Sequence, residues 1–147
     1  MAMDTATILD LLAQRIEDLT PATEFSEDDR FAVRIAANNG VHVAGRRAVT
    51  LSADGGIRRP TGGRTCSDWE TTISILVVYP ATYAEQERRG AYSDALQDSE
   101  DILEDVYLWS VTTAGILRIE PQPATVDDNG DGVIEAERAI FIQFERS

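Results

Sequence analysis

The run Asp127-Asp128-Asn129-Gly130-Asp131-Gly132-Val133-Ile134 is the segment whose spacing comes nearest to a chemical site. Oxygen donors at positions one, three and five, Gly at six and Ile at eight match the start of a calcium loop, which wraps hard oxygen ligands around a sharp turn. Asp127, Asn129 and Asp131 are the candidate ligands. The match fails at position twelve, where such a loop needs a bidentate Glu and this chain has Arg138, and the flanking residues read as strand, not helix. Asn-Gly and Asp-Gly equally supply the positive backbone angles of a hairpin turn. A weak calcium site and a plain hairpin tip are both open from the sequence.

No other constellation points to catalysis. His42 is the only histidine, so no histidine-based metal cluster can form, and no G-x-S-x-G elbow stands near it to supply a nucleophile. Glu100 and Glu104 lie four residues apart on one helical face, as an acid/base pair would, but among like charges on a wet surface that leaves their acidity untuned. The chain has no Lys, which removes the phosphate-cradling combination of Gly-rich loop and Lys. The lone Cys66 excludes an internal disulfide and reads as a small half-buried hydrophobe. The sequence therefore argues for no enzyme and no cofactor.

Charge narrows the partners. With 26 acidic and 13 basic residues, all of the latter Arg, the 147-residue chain carries a net charge of −13, which disfavours gripping nucleic acid or an anionic lipid surface. Acid-tolerant protein surfaces, cations and further copies of the chain remain. The opening residues carry no basic stretch and their apolar positions are spaced, so neither a signal peptide nor a membrane span is expected, and a protein soluble in a cell or in an assembled particle is.

The elements that must position these residues follow from periodicity. Ile8, Leu9, Leu11, Leu12, Ile16 and Leu19 predict an amphipathic helix over 4–19, capped by Asp4 or Thr5 and ended by Pro21. Alternation predicts a half-solvated strand over 30–36, then a turn at Asn38-Asn39-Gly40 and short strand-like pieces over 41–43 and 48–51. Residues 52–67 are rich in Gly, poor in apolar anchors and bear Arg58, Arg59 and Arg64. They predict a long mobile loop that concentrates positive charge. Residues 69–79 form the strongest strand. Its far half is apolar on both faces, which calls for helices on one side and a second cover, such as a neighbouring subunit, on the other. A second helix is expected over 92–109, with Ala95, Leu96, Ile102, Leu103, Val106 and Tyr107 inward and Asp94, Asp98, Glu100, Asp101, Glu104 and Asp105 outward. A closing hairpin has arms over 116–120 and 137–146 and its tip at 127–132. The whole reads as one α+β domain, residues 1–147, with a mostly antiparallel sheet and two helices packed on one face.

This layout resembles the tail-terminator (tail-completion) proteins of phages with long, non-contractile tails. The features that carry the resemblance are the helix Ile8 to Leu19 closed by Pro21, the strand Arg30 to Ala36, the long strand Trp69 to Tyr79 ending in Pro80, the helix Asp94 to Trp109 and the hairpin Ile116 to Arg146. The resemblance implies a structural virion protein with no catalytic residue: a ring, hexameric in that family, that caps the head-proximal end of the tail tube, stops its growth and joins the tail to the head. It implies as partners further copies of the chain, the tail tube protein and a head-tail connector or stopper, with DNA passing through the channel unbound. The location it implies is the neck of a virion assembled in the host cytoplasm.

Physical reasoning adds an expectation for the surfaces. A closed ring of identical subunits needs two unlike lateral patches on each, and a channel that passes DNA should repel phosphate. Asp94, Asp98, Asp101 and Asp105 are therefore expected on an acidic surface, facing the lumen, with Arg58, Arg59 and Arg64 reaching an adjacent subunit or the tube. Two rivals carry their own expectations: another neck protein, a connector or stopper, and a calcium-responsive binding module whose melting temperature falls with EDTA.

Overall fold

In the computed structural model, which describes residues 3–21, 31–35, 48–58, 67–80, 85–128 and 133–146, the elements are α1 (Thr5–Asp18), β1 (Ala32–Ile35), β2 (Ala48–Ala53), β3 (Ile57–Arg58), β4 (Ser67–Pro80), α2 (Glu85–Thr112), β5 (Ile116–Pro121), β6 (Thr125–Asp128) and β7 (Val133–Arg146). The first helix starts at its expected cap. Asp4 is extended, and its carboxylate accepts the Thr7 N–H at 2.7 Å, satisfying a donor that the first turn leaves without a helical partner. That hydrogen bond holds the Asp4 carboxyl below its ordinary value of 3.8. At the other end the Leu19 N–H returns to the Ile16 carbonyl at 3.1 Å, and Pro21 cannot extend the helix.

The spine of the sheet is the antiparallel pair β4–β7, matched along its whole length from Ser67 opposite Arg146 to Pro80 opposite Val133. Alternating β-branched and aromatic residues make both strands long, since each fits a pleated surface buried on at least one side. The strand order is β1-β2-β4-β7-β5, with β3 continuing along β4 beyond β2, and β6 continuing along β7 beyond β5. Each interruption is tied down. Asp54 donates its N–H to the Thr72 carbonyl at 3.1 Å and accepts from the Thr71 hydroxyl at 2.6 Å, while Gln122 donates its N–H to the Ala139 carbonyl at 2.9 Å.

Both helices lie on one face, α1 over β1 and β2, α2 over β4 through β7, and they touch each other. Between helices and sheet sits one apolar core. It takes Ile8, Leu12 and Ile16 from α1, Ala95, Ile102, Val106 and Trp109 from α2, and Ile73, Val77, Tyr79, Ile140, Ile142 and Phe144 from the spine. Gly115 turns the chain from α2 into β5 at φ 93°, a left-handed angle that suits glycine, and its carbonyl accepts the Glu145 N–H at 2.8 Å. The architecture is thus α+β with a mostly antiparallel sheet.

Several expectations change. The pair β1–β2 is parallel, a pairing that the sequence pattern does not specify, and the twelve residues 36–47 between them meet the length that a parallel connection needs. The turn at Asn38-Asn39-Gly40 and the strand piece at 41–43 lie outside the described residues, as does His42. Of the loop expected over 52–67, residues 52–53, 57–58 and 67 are strand, because β4 and β7 offer backbone partners that the sequence pattern does not reveal. The second helix starts at Glu85, seven residues earlier than expected, and carries Arg88-Arg89-Gly90 within it. On the helix-free face of the sheet, Leu76 and Val78 are buried with Ala48 within the chain itself, so no neighbouring subunit is required to cover them.

Candidate functional site

The four aspartates expected on one wet face of α2 do not share an environment. Asp98 is buried completely, which removes it from any acidic surface of this chain. The reason is helical phase. The buried positions are Ala91, Ala95, Asp98, Ile102, Val106 and Trp109, steps of three and four that keep one stripe against the sheet, and Asp98 fills the place midway between Ala95 and Ile102. The same phase turns Tyr107, expected inward, to the outside, where it is 55% exposed. Ser99 is buried beside Asp98, and beneath it on β7 lies the buried Arg138, which donates to the Gln122 carbonyl at 2.8 Å and to the Ser99 hydroxyl at 3.4 Å. Burial lowers the Arg138 pKa, and the charge of Glu100 opposes that shift. Arg138, met in the sequence as the wrong residue for a calcium loop, belongs to the layer between α2 and the sheet.

Asp105 forms a two-pronged ion pair with Arg15 of α1, at 2.9 and 3.2 Å, and so joins the helices. Asp101 is half-buried and accepts from the Gln97 amide at 3.0 Å, and Asp94 is also half-buried, its backbone carbonyl accepting from the Tyr79 hydroxyl at 3.4 Å. Of the cationic loop, Arg58 lies in β3 opposite Trp69, while Arg59, Arg64 and Cys66 fall outside the described residues. Asp127 is exposed on β6 opposite Glu135, and Asn129 and Asp131 fall outside the described residues.

An acidic surface does exist, and it lies on the sheet. Pairing registers place Asp68, Glu70, Glu120, Asp127, Glu135, Glu137 and Glu145 on the face away from the helices, beside the cations Arg34 and Arg118. The legible signal was the two-residue alternation of Glu135, Glu137 and Glu145 against the buried Ile134, Ala136, Ile140, Ile142 and Phe144.

The second feature missed from the sequence is apolar. Along the outer end of α2, Tyr107, Leu108 and Val111 are 55%, 54% and 68% exposed, with Leu117 of β5 nearby at 48%. Tyr107, Val111, Ile116, Leu117 and Ile119 line a groove of about 510 Å³ between α2 and β5. On the other flank of Leu108 a shallower depression of about 230 Å³ is walled by Leu19, Asp101, Glu104 and Asp105. Clustered exposed apolar side chains rimmed by polar ones are uncommon on the surface of a single subunit. The same end of the molecule offers a sheet edge, since β5 pairs only with β7 among the described residues, and the opposite edge, β1, pairs only with β2. Among the described residues no group of acidic, histidine or cysteine side chains is arranged to hold a metal ion, and no helix is long and apolar enough to cross a membrane. Compared with models of known protein families and with curated proteins, the sequence matches none.

Proposed function

We propose that the chain is a ring-forming structural subunit, a tail terminator that caps the head-proximal end of a phage tail tube and joins it to the head connector. The observation that carries this reading is that, among the described residues, β1 and β5 are unlike open edges at opposite ends of one sheet, the β5 end bearing the exposed apolar groove. Identical subunits close a ring only when each presents two different patches, and a single self-complementary patch would stop at a dimer. The acidic, helix-free face of the sheet supports the same reading: turned towards a channel, its carboxylates repel the phosphates of passing DNA. That face replaces the α2 aspartates as the surface proposed for the lumen.

Native mass measurement and negative-stain imaging of the purified protein, alone and mixed with assembled tail tubes, test the proposal. The expected result is a closed multimer with a central hole, seated at one tube end and absent from the sides. A protein that stays a single subunit in both conditions refutes it, and a ring that binds the head connector but never the tube reassigns it to another position in the neck. Ring closure on the tube alone is covered by the mixed sample, because binding to a template stabilises the assembled form by mass action.

A further inference from the structure

We infer that the lateral contact of this ring is strand addition: β1 of one copy pairs with the free edge of β5 of the next, with Arg34 opposite Glu120 and Ile35 opposite Ile119. The inference rests on the proposed ring and names its contact. Strand polarity is the first support. The step from β1 to β2 is parallel and the steps to β4, β7 and β5 are each antiparallel, so β5 runs opposite to β1. Two copies set side by side with their helices on the same side therefore meet as an antiparallel pair, the more stable ladder, without either being turned over. Rotation about a ring axis generates that arrangement.

The backbone of β5 is prepared for it. Gln122 directs its N–H inward to Ala139, and alternation along the strand then turns the N–H and C=O of Ile119 outward. Pro121 also falls at an outward position, where its missing N–H costs no bond to β7; opposite Val33 of the added strand it can accept a bond but donates none, so the Ile119–Ile35 pair carries the full exchange.

The side chains select the register. Directly opposed residues in an antiparallel pair share a face, so Arg34, on the helix-free face, must oppose Arg118 or Glu120 to meet a charge on β5. Arg118 would set like charges together. Glu120 gives an opposite pair, and both Arg34 and Glu120 are exposed without an ion pair among the described residues. In that register the helix side brings Ile35, 44% exposed at the β1 edge, against Ile119 in the groove beneath Tyr107 and Val111. Charge and apolar complementarity thus agree on one alignment, and the occupant of the groove is a second copy of this chain.

Disulfide trapping tests it. With Ile119 outward, Arg34 and Glu120 form the close, non-hydrogen-bonded type of pair, with Cα atoms about 4.5 Å apart, within reach of a disulfide. In a Cys66→Ser background, the double variant Arg34→Cys, Glu120→Cys is expected to oxidise to a ladder of covalent multimers ending at the ring size, while each single variant stays monomeric on a non-reducing gel. A single variant that cross-links as well as the double one indicates a two-fold contact and overturns the inference. So does a double variant that gives no ladder while the unsubstituted protein still forms rings, an outcome that leaves the ring reading standing; absence of both rings and ladder removes the two together. As a second measurement, Arg34→Glu or Glu120→Arg alone weakens self-association by about tenfold or more, and the two combined restore it to within about threefold. Equal association in all four proteins overturns the inference.

Discussion

The exposed end of α2 gives the sharpest test of whether this protein works by association. Consider the triple substitution Tyr107→Ser, Leu108→Ser, Val111→Ser. In the subunit these side chains are 55%, 54% and 68% exposed, so little burial is lost on folding, and exposed sites of this kind usually shift stability by about 0.5 kcal/mol or less each. Covering them in an assembly is a different matter. Fully burying a large apolar side chain contributes about 1.5–3 kcal/mol, and with half to two thirds of that burial still to be made, each residue is worth about 1–2 kcal/mol at an interface. Together they amount to about 3–6 kcal/mol per contact, or a factor of about 10² to 10⁴ in affinity. Sedimentation velocity across a concentration series reads the association, and thermal melting of the dilute protein reads the fold. The expected pair of results is a near-unchanged melt and a collapse of the multimer to single subunits. Unchanged association in the triple variant, or a melt lowered as far as by a core substitution, refutes the reasoning.

Other substitutions probe the fold. Ile140→Ala, at a fully buried position of β7, should cost about 2–5 kcal/mol in denaturant unfolding, because the spine strand cannot collapse around the cavity. Asp4→Ala should lower the melting temperature at pH 7 by removing the cap on α1. The Asp4 pKa is depressed in the folded state, so its contribution is fully present above the ordinary value of 3.8 and is lost as the pH falls through the lower folded value; the gap between the two melting curves should close there. A double-mutant cycle on Arg15 and Asp105 should give a coupling of about 0.5–1 kcal/mol that shrinks with salt, since the Arg15 side chain is 40% exposed. A coupling near zero at low salt would show that the pair does not join the helices.

How much of this was legible depended on the range over which each feature is decided. α1 was readable because its cap, its apolar stripe and its terminating Pro21 all lie within one short segment. β4 was readable because period-two alternation persists from Trp69 to Tyr79. The face of α2 was misplaced at Asp98 and Tyr107, since a carboxylate in a stripe position looks like surface until the sheet beneath it is known. Nothing near Arg138 announces that its guanidinium lies under a helix and bonds to Gln122, sixteen residues away in the chain. The acidic sheet face was half-visible: alternation groups Glu135 with Glu137, but only strand pairing brings Asp68, Glu70 and Glu120 alongside them.

The chain by itself determined the fold class, the two helices, the long central strands and the strong negative charge, because residue type and local period are enough to set each of them. Tertiary structure alone decided that β1 lies parallel to β2, that β1 and β5 are the sheet's edges among the described residues, and that Tyr107, Leu108 and Val111 face out. The physical reason is that pairing and burial are relations between segments distant in sequence, and the backbone partners and covering side chains that settle them appear only once the sheet has formed.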